Sequence, residues 1–440
     1  MTPLGFVLAL IFSLLIFCLP RKMATASLIA GICYLTEGLP LDVAGFHFTG
    51  IRFILLAGFI RVMARGELNQ VRFNTIDRSL IIFALAILII STLRVGTSTE
   101  LVYQTGTLYN VFLAYFVFRS LLKEEHHYRD VLAIVAFVII PFALLMFFES
   151  LTNRNVFAVF GGVSDPDMMR EGQIRAQGAF RSPITAGAFG ATFAMLYASI
   201  LFARPRTRWA LVGLIASVLI VFCSHSSGPL LGLALGLASL ACWFVRRHTS
   251  KIRWAIVAAL VGLNMVMKVP VWFLIGRVSD IVGGGGYHRA YLIDQFVRHF
   301  GSWWLAGTSN TSDWMPTQLE AGGADLTNKF VADGVIGGLI GLVLSVALVV
   351  ACFKWIGIAL KAHRGQPATE KLVWGIGATL VGTIAIFFSV TYFDQMYVLW
   401  YFLVACIAGL NIAKRRLAVV TARRPPAANS RFPAGLSSVP

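Results

Sequence analysis

Ile336–Phe353 reads IGGLIGLVLSVALVVACF, eighteen residues without a single charge. At 1.5 Å per residue, about 20 such residues cross the hydrocarbon core of a bilayer. Comparable runs recur at Pro3–Cys18, Leu80–Thr92 and Val131–Phe148. Of the 440 residues, 58% are hydrophobic and only 13% charged, about half the charge of an ordinary soluble domain. The sequence therefore predicts an all-α, polytopic membrane protein of about 12–14 transmembrane helices. Thirteen can be drawn, at residues 3–20, 24–40, 46–63, 79–95, 102–120, 130–149, 184–203, 209–224, 229–245, 254–275, 335–356, 373–393 and 397–413.

The net charge of +17 does not point to nucleic acid, because the basic residues sit in short clusters at the ends of apolar runs. Anionic lipid and the positive-inside rule account for that placement. With the drawn spans, 26 of the 37 Lys and Arg residues fall on one side of the membrane and 11 on the other. The bias places the N-terminus outside and the C-terminus in the cytoplasm. The first apolar run ends in Leu19-Pro20-Arg21-Lys22 without a basic leader or small-residue cleavage site, so it reads as a first span rather than a cleaved signal. All six cysteines lie in apolar segments and read as small buried hydrophobes.

These spans divide the chain into N-terminal transmembrane helices (1–150), a first long outer loop (151–183), central helices (184–275), a large outer loop (276–330) and C-terminal helices (331–413). A basic tail rich in Pro, Ala and Ser (414–440) has the composition of a disordered segment. Loops as long as the two outer ones are usually functional. The larger one carries Tyr287–Phe300, YHRAYLIDQFVRHF, whose Tyr291, Leu292, Phe296 and Phe300 fall near one helical face, as in a helix lying on a membrane surface. The Gly283–Gly286 run before it reads as a hinge, since no GK[ST] follows.

Several arginines stand on the side that the charge bias disfavours: Arg154, Arg170, Arg175, Arg181, Arg277, Arg289 and Arg298, with Lys329 beside them. A guanidinium fork suits bidentate capture of phosphate and cannot be titrated away; a solvated loop that happens to be basic is the plainer reading. Arg175 and Arg181 flank Ala-Gln-Gly178-Ala-Phe180 and lead through Pro183 into a span.

This Arg-x-x-Gly-x-Phe-x-x-Pro segment resembles the O-antigen ligase and Wzy-type polymerase superfamily of bacterial inner membranes. Three landmarks follow in the same order. Ser224-His-Ser-Ser-Gly228 is similar to that family's Ser-Arg-Gly turn, with Ser227 in place of Arg. His288-Arg289-Ala-Tyr291 and Trp304-Leu-Ala-Gly307 resemble its large-loop stretch, and Asn328-Lys-Phe-Val-Ala-Asp333-Gly334-Val-Ile-Gly337 resembles the segment that closes the loop. The resemblance implies a multi-pass protein of the bacterial inner membrane that transfers a glycan from an undecaprenyl-diphosphate carrier to a hydroxyl acceptor at the periplasmic face of that membrane, without metal or cofactor. It implies a flippase and a chain-length regulator of the same pathway as partners. Beside it, Arg175, Arg289 and His288 stand as the catalytic candidates and Arg181, His225, Arg298, Asn328 and Trp304 as substrate-binding ones, with His288 reading equally as an ordinary loop histidine and His225 as a helix-end cap.

The leaving group is a diphosphate, whose developing charge fixed cations stabilise, and a base must take the acceptor's proton. The family carries His before Asn where this chain has Thr327, which favours polymerase over ligase and leaves the base open among His288, Glu320, Asp325 and Asp333. Asp333 reads equally as an acid near a helix N-terminus. Trp303, Trp304 and Trp314 suit either sugar stacking or interfacial anchoring. Glu37, Glu149, Asp394 and Gln395 read as simple polar residues at span ends. A transporter is the reading from another class, but apart from Lys268 the spans carry almost no mid-membrane charge.

Overall fold

A computed structural model describes residues 2–410 apart from 38–39, 44–45, 123–124, 164–168, 171, 283–285 and 316–322. Most of Gly283–Gly286, Glu320 and the basic tail therefore lie outside the described residues. Among those described, the helices are α1 (Pro3–Cys18), α2 (Arg21–Tyr34), α3 (Gly50–Ala64), α4 (Thr75–Val95), α5 (Ser98–Leu121), α6 (Glu125–Thr152), α7 (Pro183–Ala203), α8 (Arg208–Cys223), α9 (Ser227–Ala241), α10 (Thr249–Val266), α11 (Leu274–Val282), α12 (Gly286–Arg298), α13 (Phe300–Trp303), α14 (Lys329–Ala362), α15 (Pro367–Phe387) and α16 (Gln395–Ala408). Among the described residues, strand is confined to two short antiparallel pairs, Leu41–Val43 with Phe46–Phe48 and Met169–Arg170 with Gln173–Ile174.

Each of the thirteen drawn spans overlaps a helix, but among the described residues six helical segments are long and apolar enough to cross a membrane: Thr75–Val95, Tyr128–Thr152, Pro183–Ala203, Ser227–Val266, Lys329–Ala362 and Pro367–Phe387. Pro3–Cys18, Arg208–Cys223 and Gln395–Ala408 are shorter apolar helices. The second and third drawn spans are too generous, because the chain leaves α2 at Tyr34 and forms a hairpin before α3. The 40 residues of Ser227–Val266 would measure roughly 60 Å if straight, about twice a bilayer core. A 3₁₀ run, Cys242–His248, breaks them at Val245, beside Arg246 and Arg247.

Helix α7 is the hub, buried along nearly all its length against α8, α9 and α15. Apolar surface alone gives helices no reason to associate in lipid, so close approach over small residues must hold them. A Cβ on Gly187 would lie 2.4 Å from Ser224 Oγ, one on Gly375 2.4 Å from Ser199 Cβ, and one on Gly232 2.3 Å from Ile386 Cγ1. Helix α10 is left out of this packing: none of its residues is buried.

Several charged side chains at one end of the bundle are neutralised by partners. Arg61, fully buried, donates to the carbonyls of Ile16 (2.6 Å) and Leu19 and pairs with Glu67, which also holds Arg21 at 2.9 Å. Asp77 pairs with Arg119 at 3.3 Å and accepts from Tyr115 Oη at 2.7 Å. We call this the basic end; the long connections gather at the other.

Candidate functional site

At the long-loop end, residues 175–181 are pinned from four directions before they enter α7. The N–H groups of Gln177 and Gly178 donate to the two carboxylate oxygens of Glu149, both at 2.9 Å. Ala176 N–H donates to Cys223 O (3.0 Å), Asn155 Nδ2 to Gly178 O (2.9 Å), and Gln395 Nε2 to Ala179 O (2.8 Å) and Leu35 O (3.0 Å). Gly178 has φ +60°, and a Cβ there would sit 2.8 Å from the Phe142 ring. Phe180 fills the space between Phe142 and Phe189. The Gly-x-Phe pair thus builds a rigid plug, and the arginines on either side inherit its position.

Arg175 Nη2 donates to Ser226 Oγ at 2.9 Å, and Ser226 Oγ donates onward to Ser224 O. This joins Arg175 to the α8–α9 turn, where His225 adopts φ +42°. At the other end of the plug, Arg181 is exposed and its charge acts on Asp394. Asp394 itself has φ +46°, a left-handed conformation that a non-glycine residue holds at a cost. Its carboxyl is hydrogen-bonded to that of Glu37, which leaves α2 on the far side. Thr49 Oγ1 donates to Glu37 Oε1 at 3.2 Å, the Arg52 charge acts on the same carboxyl, and Tyr397 on α16 lies close with its hydroxyl unpartnered.

Two carboxyls in hydrogen-bond contact share a proton, because both cannot ionise cheaply. Burial and the neighbouring Asp394 push Glu37 up to about 8, against the opposing pull of Thr49 and Arg52. Burial raises Asp394 as well, opposed by Arg181. A carboxyl raised in the folded state contributes stability that is complete below its unfolded pKa, about 4.3. That contribution is lost as pH rises through about 8. The thermal midpoint of the protein in neutral detergent should therefore fall between about pH 5 and 8 and level off above that, and Glu37→Gln should flatten the fall. An unchanged slope in Glu37→Gln would remove the pair as its cause.

No known protein family matches the chain, and no characterised protein matches it. Its assignment rests on its own residues.

The large loop forms a second group. The apolar face of α12 does not lie free on a surface: Leu292 and Phe296 are buried with Trp303, Trp314, Val331 and Val335 in a small core of their own. Phe300 stays exposed. His288 and Arg289 are half-buried at the start of α12, with His288 Nε2 buried and unpartnered. Arg298 is largely exposed and pairs with Asp294 at 2.6 Å, four residues back on the same helix. Through α11, this loop touches α9, the helix opened by the His225–Ser226 turn.

Helix α14 breaks at Gly338 (φ +64°), and the loop docks into the break. Thr308 N–H and Arg94 Nη1 both donate to the freed Val335 O at 2.8 Å, and Leu339 N–H donates to Trp304 O at 2.8 Å. The Trp304 ring itself is exposed. Asp333 is held by Lys329 Nζ and by Ser345 Oγ, each at 2.6 Å, and sits within α14 rather than at its N-terminus. Asp325 is exposed.

Asn328 is the N-cap: its Oδ1 accepts from Phe330 N–H (2.9 Å) and Val331 N–H (3.2 Å). Asn328→Ala should cost about 1 kcal/mol of stability. Thr327→Ala should be silent, because the Thr327 hydroxyl is buried without a partner. Thermal midpoints of the two variants check the order, and a larger loss at Thr327 would reverse this assignment of roles.

Proposed function

We propose that the protein polymerises undecaprenyl-diphosphate-linked oligosaccharide repeat units at the periplasmic face of a bacterial inner membrane. The observation that carries this reading is the rigid 175–181 plug, which sets one arginine on the His225–Ser226 turn and another beside the Glu37–Asp394 pair. Cations can take up the charge of the departing diphosphate and a carboxylate can accept the acceptor's proton, the two roles this transfer asks of a protein.

In this reading a hydroxyl of the acceptor unit attacks the anomeric carbon of the donor glycan. The bond from that carbon to the diphosphate oxygen breaks, and undecaprenyl diphosphate leaves with its new charge on Arg175, Arg181 and Arg289. The hydroxyl proton passes to the carboxylate of the Glu37–Asp394 pair. Thirteen spans, an outer N-terminus and a cytoplasmic C-terminus would put the long-loop end on the periplasmic side, in keeping with the 26 of 37 basic residues assigned to the opposite side.

Deleting the gene and profiling lipid-linked and surface glycans tests the proposal. Accumulation of single repeat units on the carrier supports polymerisation. Long carrier-linked chains with a bare lipid core mean ligation instead, and an unchanged profile refutes both.

A further inference from the structure

Residues 388–394 join α15 to α16, and separate parts of the long-loop end meet on them. Ser389 lies against the first turn of α9: a Cβ on Gly228 would sit 2.5 Å from Ser389 Cβ. The Phe387 and Phe388 rings pack on Phe330 at the start of α14, with centroids 5.9 and 5.6 Å away. Thr391 Oγ1 donates to Leu326 O, near the end of the large loop. Leu326 in turn packs on the small core of Trp303 and Trp314. Asp394 meets Glu37, and the next residue, Gln395, holds Leu35 O and Ala179 O.

Asp394 has φ +46° and ψ −130°. A side chain stays in so sparsely populated a conformation only where its surroundings over-determine it. Its carboxyl makes no capping bond to α16, so the helix it precedes does not set its direction. Gln395 fixes where α16 starts. On the other side the fastening comes three residues earlier, from Thr391, and its anchor is the loop that docks into the α14 break.

We propose that Thr391 is a positioning residue for the Glu37–Asp394 pair: by tying the turn to the docked large loop, it holds Asp394 against Glu37. When the loop lifts, Asp394 relaxes out of its strained conformation and the pair comes apart. The bearing of this on glycan transfer rests on the reading of the pair as proton acceptor; the positioning itself does not.

The pair is faced by Thr49 and Arg52 from α3 and the residue before it, Tyr109 from α5, Arg181 ahead of α7 and Tyr397 from α16, all left in place by the test. The thermal midpoint of the full chain in neutral detergent, followed across pH, needs no glycan and so stands apart from polymerisation. Without Asp394 alongside, Glu37 keeps the rise that burial gives it and loses the part its neighbour adds. The fall of the midpoint in Thr391→Val should therefore be shallower and end at lower pH than in the wild type. Thr391→Ser, which keeps the hydroxyl, should restore the wild-type profile. Gly307→Val acts from the loop side, since a Cβ there would lie 2.2 Å from Val335 O at the α14 break, and should reproduce the Thr391→Val profile. A wild-type profile in Thr391→Val would overturn the inference, as would a Thr391→Ser protein that behaves like Thr391→Val. So would a Gly307→Val protein whose loop is open to protease while its profile stays that of the wild type.

Discussion

Chain extension in Arg175→Ala cells should fall by about 10²–10³-fold, the usual loss when one preorganised donor to a developing oxyanion is removed, while membrane abundance stays near wild type. The two effects separate because residues 176–179 are held by groups other than this side chain: Glu149, Asn155, Gln395 and the Cys223 carbonyl, while Arg175 reaches away to Ser226. Arg175→Lys should recover only part of the activity, since an ammonium keeps the charge and loses the fork. Ser226→Ala should be mild by comparison. Arg289→Ala should behave as Arg175→Ala does if both grip the same diphosphate. The readout is glycan chain length against protein abundance in membranes; full-length chains in Arg175→Ala would take this residue out of the reaction.

Gly307→Val should be the most damaging substitution for the architecture. Gly307 has φ +82°, and a Cβ there would lie 2.2 Å from Val335 O, 2.5 Å from Arg94 Nη1 and 2.8 Å from Ile336 O. A β-branched residue in that conformation costs about 1–3 kcal/mol in backbone strain alone, and the carbonyls at the α14 break have no room to retreat. The loop should lift off α14, exposing Trp303 and Trp314 and opening residues 299–328 to protease. Gly301→Ala is the matching control, because a Cβ on Gly301 meets nothing within 4 Å. An identical proteolysis pattern in Gly307→Val and wild type would show that docking into the break does not hold the loop.

Much of this layout is legible in the sequence, for physical reasons. Uncharged runs such as Ile336–Phe353 can do little but lie in hydrocarbon, so the helices announce themselves. Asn328 ahead of an apolar run is an N-cap pattern that sequence alone displays. The Glu37–Asp394 pair is not visible that way. More than 350 residues separate its members, each reads as an ordinary polar residue in a turn, and only the closing of α16 against the end of α2 brings them together. Glu149 is hidden for a related reason: it serves two backbone N–H groups, and backbone has no residue-type signature. Tyr287–Phe300 shows the opposite failure. Its amphipathic period is real, but periodicity names a buried face without saying what buries it, and here the burying partners are tryptophans of the same loop and the start of α14.

Helix α10 stands apart from all these constraints. With none of its side chains buried against protein, nothing tests their shapes against a neighbour, and only their partition into hydrocarbon is selected. Apart from Asn264, whose Oδ1 accepts from Val271 N–H at 3.0 Å, the order of residues within Ile256–Val266 then carries almost no information: a shuffled version with the same composition and with Asn264 and Arg246–Arg253 left in place meets the same demand. Among relatives this stretch should drift quickly while α7 stays nearly fixed. It also offers a ready handle for a spectroscopic or cross-linking label, since a probe there displaces lipid and disturbs no packed neighbour.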